Sequence, residues 1–123
     1  MQDAMYYDGE RTIKAEGEAA VKRMPPMLTA LKAGVVIGAS TDAHRVANYN
    51  PFIALRWVLD GKSAGDISLR GPEETPNRLQ ALTIFTSGSA WFADAESLRG
   101  SLAVGKLADL AVLSEDYFTM SVE

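Results

Sequence analysis

The side chains best suited to chemistry crowd into one stretch, where Ser40, Thr41, Asp42 and His44 follow directly on Gly34-Val35-Val36-Ile37-Gly38-Ala39. A carboxylate such as Asp42 can bind a divalent cation and take a proton from water held beside it. His44 stands two residues further on, so in an extended segment its imidazole and the Asp42 carboxylate point the same way and can share a metal. The competing readings are structural: Asp42 as a turn or cap aspartate bonded to nearby backbone, and His44 as a loop residue. His44 is the chain's only histidine, so two ligands at most come from this stretch. Arg45, Asn48 and Tyr49 occupy the loop that follows, the kind of segment that lines substrate pockets.

Other candidates fall to their surroundings. Ser40 and Ser87 lack a base held by a third group, and no Gly-x-Ser-x-Gly elbow is present. Gly100-Ser101-Leu102-Ala103-Val104-Gly105-Lys106 matches most of a phosphate loop, but Leu107 stands where Ser or Thr must hold magnesium. The segment is read instead as a turn ending in Lys106.

The elements that position these residues are legible from pattern. Val35, Val36 and Ile37 form an apolar, β-branched run, predicting a strand over 35–39 buried on both faces. In parallel sheets ligands collect where strands end, which places Asp42 at a site. Upstream, Pro25-Pro26 suit a helix start, Met27, Leu28 and Leu31 share a helical face, and Gly34 is placed to stop that helix. Downstream, Asn50 reads as an N-cap and Pro51 as a first helical residue, predicting helix to Asp60 with Gly61 as the stop. That helix is apolar almost all round, as befits one packed inside a larger body. A second helix is predicted over 77–87, with Leu79, Leu82 and Phe85 or Thr86 on one face and Gly88 ending it. Short strands are expected at 67–69 and 107–113, and a short turn at 90–92. Trp57, Trp91 and Phe92 are expected in the core. Residues 1–23 show only a thin apolar face, best over 16–23.

Composition bounds the rest. With 123 residues the chain suits one domain, whereas a complete (β/α)8 barrel takes about 250. A hydrophobic content of 47% is enough for a core, and a net charge of −4 gives no reason to expect nucleic acid or an anionic membrane as partner. No stretch has the roughly 18 apolar residues of a membrane span, and no secretory signal opens the chain. The absence of cysteine removes disulfides and thiolate ligands and fits a cytoplasmic location.

Four blocks carry a family resemblance: Ala39-Ser40-Thr41-Asp42-Ala43-His44-Arg45, Tyr49-Asn50-Pro51-Phe52-Ile53-Ala54-Leu55-Arg56-Trp57, Ser87-Gly88-Ser89-Ala90-Trp91-Phe92, and Gly100 to Leu113, which contains Gly105-Lys106-Leu107-Ala108-Asp109. Together they resemble the C-terminal part of the metal-dependent amidohydrolase superfamily, specifically its YtcJ-like branch. The resemblance implies an α/β fold: the last βα units of a (β/α)8 barrel over residues 1–97, then a return segment over 98–123 giving a strand to a flanking β-sandwich. By itself such a chain is incomplete as a barrel. The resemblance further implies hydrolysis of amide-like C–N bonds in small molecules, with Asp42 as catalytic residue and metal ligand and His44 as a second candidate ligand. A divalent metal, zinc first among them, belongs to the complete enzyme, whose other ligands come from earlier strands; with one histidine this chain cannot assemble the usual metal centre, and it is expected to be inactive alone. The alternative is a non-catalytic small α/β domain that self-associates or completes a partner chain.

Overall fold

The computed structural model describes residues 4–43 and 48–122, and their regular structure is helical. The order is α1 (Ala4–Glu16), α2 (Glu18–Val21), α3 (Met27–Lys32), α4 (Pro51–Asp60), a 3-10 turn (Pro72–Glu74), α5 (Arg78–Thr83), a π turn (Ile84–Gly88) and α6 (Ser89–Phe92). Among the described residues no strand forms; Lys62 and Ser68 make a single antiparallel bridge.

The strands expected at 35–39, 67–69 and 107–113 are therefore corrected. A strand's buried faces and paired edges are supplied by neighbouring strands, and the described residues provide none. Val35 and Val36 are 54% and 40% exposed, while Ile37 packs on the core and Gly38 and Ala39 are buried. Residues 107–113 run without a ladder and are exposed throughout.

The central helix α4 forms as its local sequence dictates. The Asn50 side-chain oxygen accepts from the Phe52 amide at 3.0 Å, Pro51 opens the first turn, and Gly61 ends the helix at φ +63°. Its inward face carries Ala54, Leu55, Trp57 and Val58, and the core joins Leu55, Trp57 and Val58 to Met27 of α3 and Ala81 of α5. Met5 and Tyr6 of α1 pack against that cluster, which explains a helix over 4–16 that the thin apolar face of the amino-terminal residues did not predict. At the far end of α4, the buried Arg70 donates through Nη2 to the carbonyls of Trp57 (2.8 Å), which also accepts from the Gly61 amide, and Val58 (2.6 Å), an acceptor that the helix C-terminus leaves open. Its Cζ lies 5.0 Å from the Trp57 ring centre, a cation–π contact. Burial pushes the guanidinium down to about 10, so it stays charged at neutral pH.

The second predicted helix is also corrected. Asn77 and Gln80 form a reciprocal capping box that starts α5, but Gly88 does not end the helix, which widens into the π turn and continues to Phe92. Its buried residues are Ala81, Ile84, Gly88 and Ala90, whereas Leu79, Trp91 and Phe92 are exposed. Of the three aromatics expected in the core, Trp57 alone is there.

Helix α3 begins at Pro26, which makes no side-chain cap. Glu74 from the distant 3-10 turn supplies the acceptor: its buried carboxylate takes hydrogen bonds from the Thr29 amide (3.0 Å) and the Thr29 hydroxyl. The Thr29 hydroxyl and then its amide hold the Glu74 carboxyl below its usual range. The unfolded chain therefore takes up this proton first on acidification, and the stability Glu74 contributes is present above the ordinary carboxylate range and lost as pH falls through its depressed value. Glu74→Gln is expected to give a shallower decline of stability on the acid side, measured by urea unfolding across pH 2–6. An unchanged slope would refute it.

Candidate functional site

The segment bearing Asp42 starts at Gly34, which ends α3 at φ +77°, as its position after the last helical turn predicted. From there Val35 to Ala39 lead, outside any regular element, to the α5–α6 helix. The Ala39 amide points at the Ile84 carbonyl (3.3 Å) and at Ser89 Oγ (3.2 Å). The Ser89 hydroxyl has the Ala39 carbonyl at 2.9 Å and the Ile84 carbonyl at 3.0 Å as acceptors for its one proton. One side chain thus meets both polar groups of the Ala39 backbone, as an adjacent strand would. Gly88 permits the approach, because a Cβ there would fall 2.1 Å from the Ile37 carbonyl oxygen.

Three residues past Ala39, Asp42 is exposed and left-handed, at φ +49°, a conformation that aspartate tolerates better than most residues. On the downstream side the Asn48 side-chain oxygen accepts from the Asn50 amide at 2.8 Å, so its carboxamide serves the turn into α4. Tyr49 is 71% exposed. Asp42 and Tyr49 are thus exposed and Asn48 is half-buried; His44 and Arg45, the other candidates, lie outside the described residues. Ser40 and Ser87 are exposed. Lys106 donates to the Glu96 carbonyl and to Ser101 Oγ (2.8 Å), closing a turn as its bland reading required.

A cavity of about 690 Å³ lies elsewhere, between α4, the α5–α6 helix and the C-terminal segment, with Phe52, Leu55, Phe85, Leu110 and Tyr117 among its walls. Arg99 and Asp109, 3.9 Å apart, are its charged groups. Of the described loop candidates, Asp42, Asn48 and Tyr49 are not among its walls.

Among the described residues, no three His, Cys, Asp or Glu side chains stand together as a metal centre requires. The described donor set therefore does not fit a metal ion on its own.

A family model described as the amidohydrolase family matches residues 1–123, and the chain belongs to that family. Membership brings a hydrolase-type function on small molecules and, in the family generally, divalent metal ions. No curated protein and no solved structure matches the chain. Among the described residues, no helix is long and apolar enough to cross a membrane.

The residue that sequence reasoning passed over is Ser89. It sits in Ser87-Gly88-Ser89, which was weighed as a helix end and a nucleophile candidate; the signal was a glycine between two serines inside a helical pattern.

Proposed function

We propose that this chain is the C-terminal portion of a YtcJ-like, metal-dependent hydrolase of amide-like C–N bonds, with residues 1–97 completing a (β/α)8 barrel and 98–123 a β-sandwich. The observation that carries the reading is the family match over residues 1–123. Asp42 is the carboxylate this chain contributes to the catalytic centre, and His44 the one imidazole it can add. The remaining ligands for a divalent ion, zinc by preference, come from the earlier strands of the complete enzyme. Arg45, Asn48 and Tyr49 line the substrate side of the same loop.

A second reading, a non-catalytic domain that pairs with its own copy, draws on the exposure of Val35, Val36, Trp91, Phe92 and Val112. Both are tested by gel filtration with elemental analysis, followed by hydrolysis of a panel of chromogenic anilides. The hydrolase reading expects less than one equivalent of metal and no turnover from the isolated chain. Supplied with the polypeptide bearing the other ligands, it expects turnover that Asp42→Asn lowers at least about 100-fold. A stoichiometric metal and turnover in the isolated chain would overturn the portion reading. A stable dimer indifferent to zinc, with no turnover in either setting, would favour the second.

A further inference from the structure

We propose that Ser89 is a positioning residue for Asp42, an inference that rests on the reading of Asp42 as the chain's catalytic carboxylate. Residues 35–39 have no strand ladder to set their register, so side-chain and loop contacts bear on where Asp42 falls. At Ala39 the contact comes from the α5–α6 helix. Ser89 Oγ lies 3.2 Å from the Ala39 amide and 2.9 Å from the Ala39 carbonyl, bridging both polar groups of one extended residue. The Ile84 carbonyl, at the start of the π turn, reaches the same Ala39 amide at 3.3 Å and offers the Ser89 hydroxyl a second acceptor at 3.0 Å. Widened turns of this type are frequent at functional sites. The contact is a long-range one, joining positions fifty residues apart in sequence.

The downstream end is fixed independently, by Asn48 on the Asn50 amide and Asn50 on the Phe52 amide. Asp42 lies three residues past the tied Ala39, and its left-handed backbone at φ +49° is the conformation this tie is proposed to hold. A non-glycine residue keeps such a conformation only when its surroundings enforce it. Ser89 thus acts on Asp42 through the backbone, without touching it.

The test is NMR on the metal-free chain, which separates it from the hydrolase reading. Amide exchange is followed at Ala39, with Trp57 and Val58 as core reporters, and the Cα and Cβ shifts of Asp42 report its backbone region. Ser89→Ala removes the hydroxyl while favouring helix, so the fold is expected to survive. It should speed Ala39 exchange at least about tenfold with the core unchanged, and move the Asp42 shifts from left-handed toward extended values. Ser89→Thr, which keeps a hydroxyl, should restore both. Faster Ala39 exchange with unmoved Asp42 shifts would overturn the proposal, leaving Ser89 a local structural tie, and so would unchanged exchange. If Ser89→Ala fails to fold, Ser89→Cys, of nearly the same shape but a poor hydrogen-bonding partner, is read by the same two signals. Failure of the hydrolase reading would appear in turnover and metal content, with these signals unaffected.

Discussion

Trp57→Ala is expected to cost about 3–5 kcal/mol of folding free energy, the range for truncating a large buried aromatic. A domain of this size has only about 5–15 kcal/mol in hand, so much of the variant should be unfolded at modest urea. Trp57 is 2% exposed at the centre of the cluster formed with Met27, Leu55, Val58 and Ala81, which joins α3, α4 and α5. Its ring also faces Arg70, so truncation removes the π partner of a buried cation as well as opening a cavity. Trp57→Phe separates volume from polarity. The indole Nε1 has no hydrogen-bond partner, so replacing the ring by phenyl forfeits packing and part of the cation–π contact but no hydrogen bond. Urea unfolding followed by circular dichroism should place the Phe variant at less than half the loss of the Ala variant. Equal losses would mean that the site depends on the indole edge.

Gly88→Ala is the second large effect, and two influences oppose each other. Alanine is the better helix former by about 1 kcal/mol, which would stabilise an ordinary helical glycine. Here its Cβ would lie 2.1 Å from the Ile37 carbonyl oxygen, with the Thr83 carbonyl oxygen at 3.2 Å. Both obstacles are backbone, which cannot rotate aside as a side-chain tip can. Overpacking therefore wins, with a net loss of about 2 kcal/mol. Ser87→Ala, one residue away at an exposed position, should stay within about 0.5 kcal/mol of the wild type. If Gly88→Ala proved as stable as the wild type, the close approach of residues 37–39 to the α5–α6 helix would be wrong, and the role given to Ser89 would go with it.

Much of the helical framework could be read in advance, because it rests on contacts between near neighbours. Asn50 on the Phe52 amide, the Asn77–Gln80 box and the left-handed Gly34 and Gly61 are each complete within a turn of chain. The misreadings fell where a residue's environment is furnished from afar. The run Val35-Val36-Ile37 has the composition of a doubly buried strand, yet burial needs neighbours, and among the described residues it has them only from Ile37 onward. Trp91 and Phe92 look like core residues by type, but the π turn carries the helix past Gly88 with both aromatics facing outward. Asp42 was singled out by its place after an apolar run, while Ser89, fifty residues from the backbone it holds, carried no local mark of that contact.

By itself the sequence determined the family motifs, the caps of α4 at Asn50 and Gly61, and the concentration of candidate chemistry at residues 40–49, because each is written in residues adjacent along the chain. The tertiary structure alone decided that Glu74 caps α3, that Arg70 closes α4 and that Ser89 stands in for a strand beside Ala39. Those contacts join polar groups brought together from separate parts of the chain, and hydrogen bonds of that kind depend on angle and distance that no periodicity of residue types encodes.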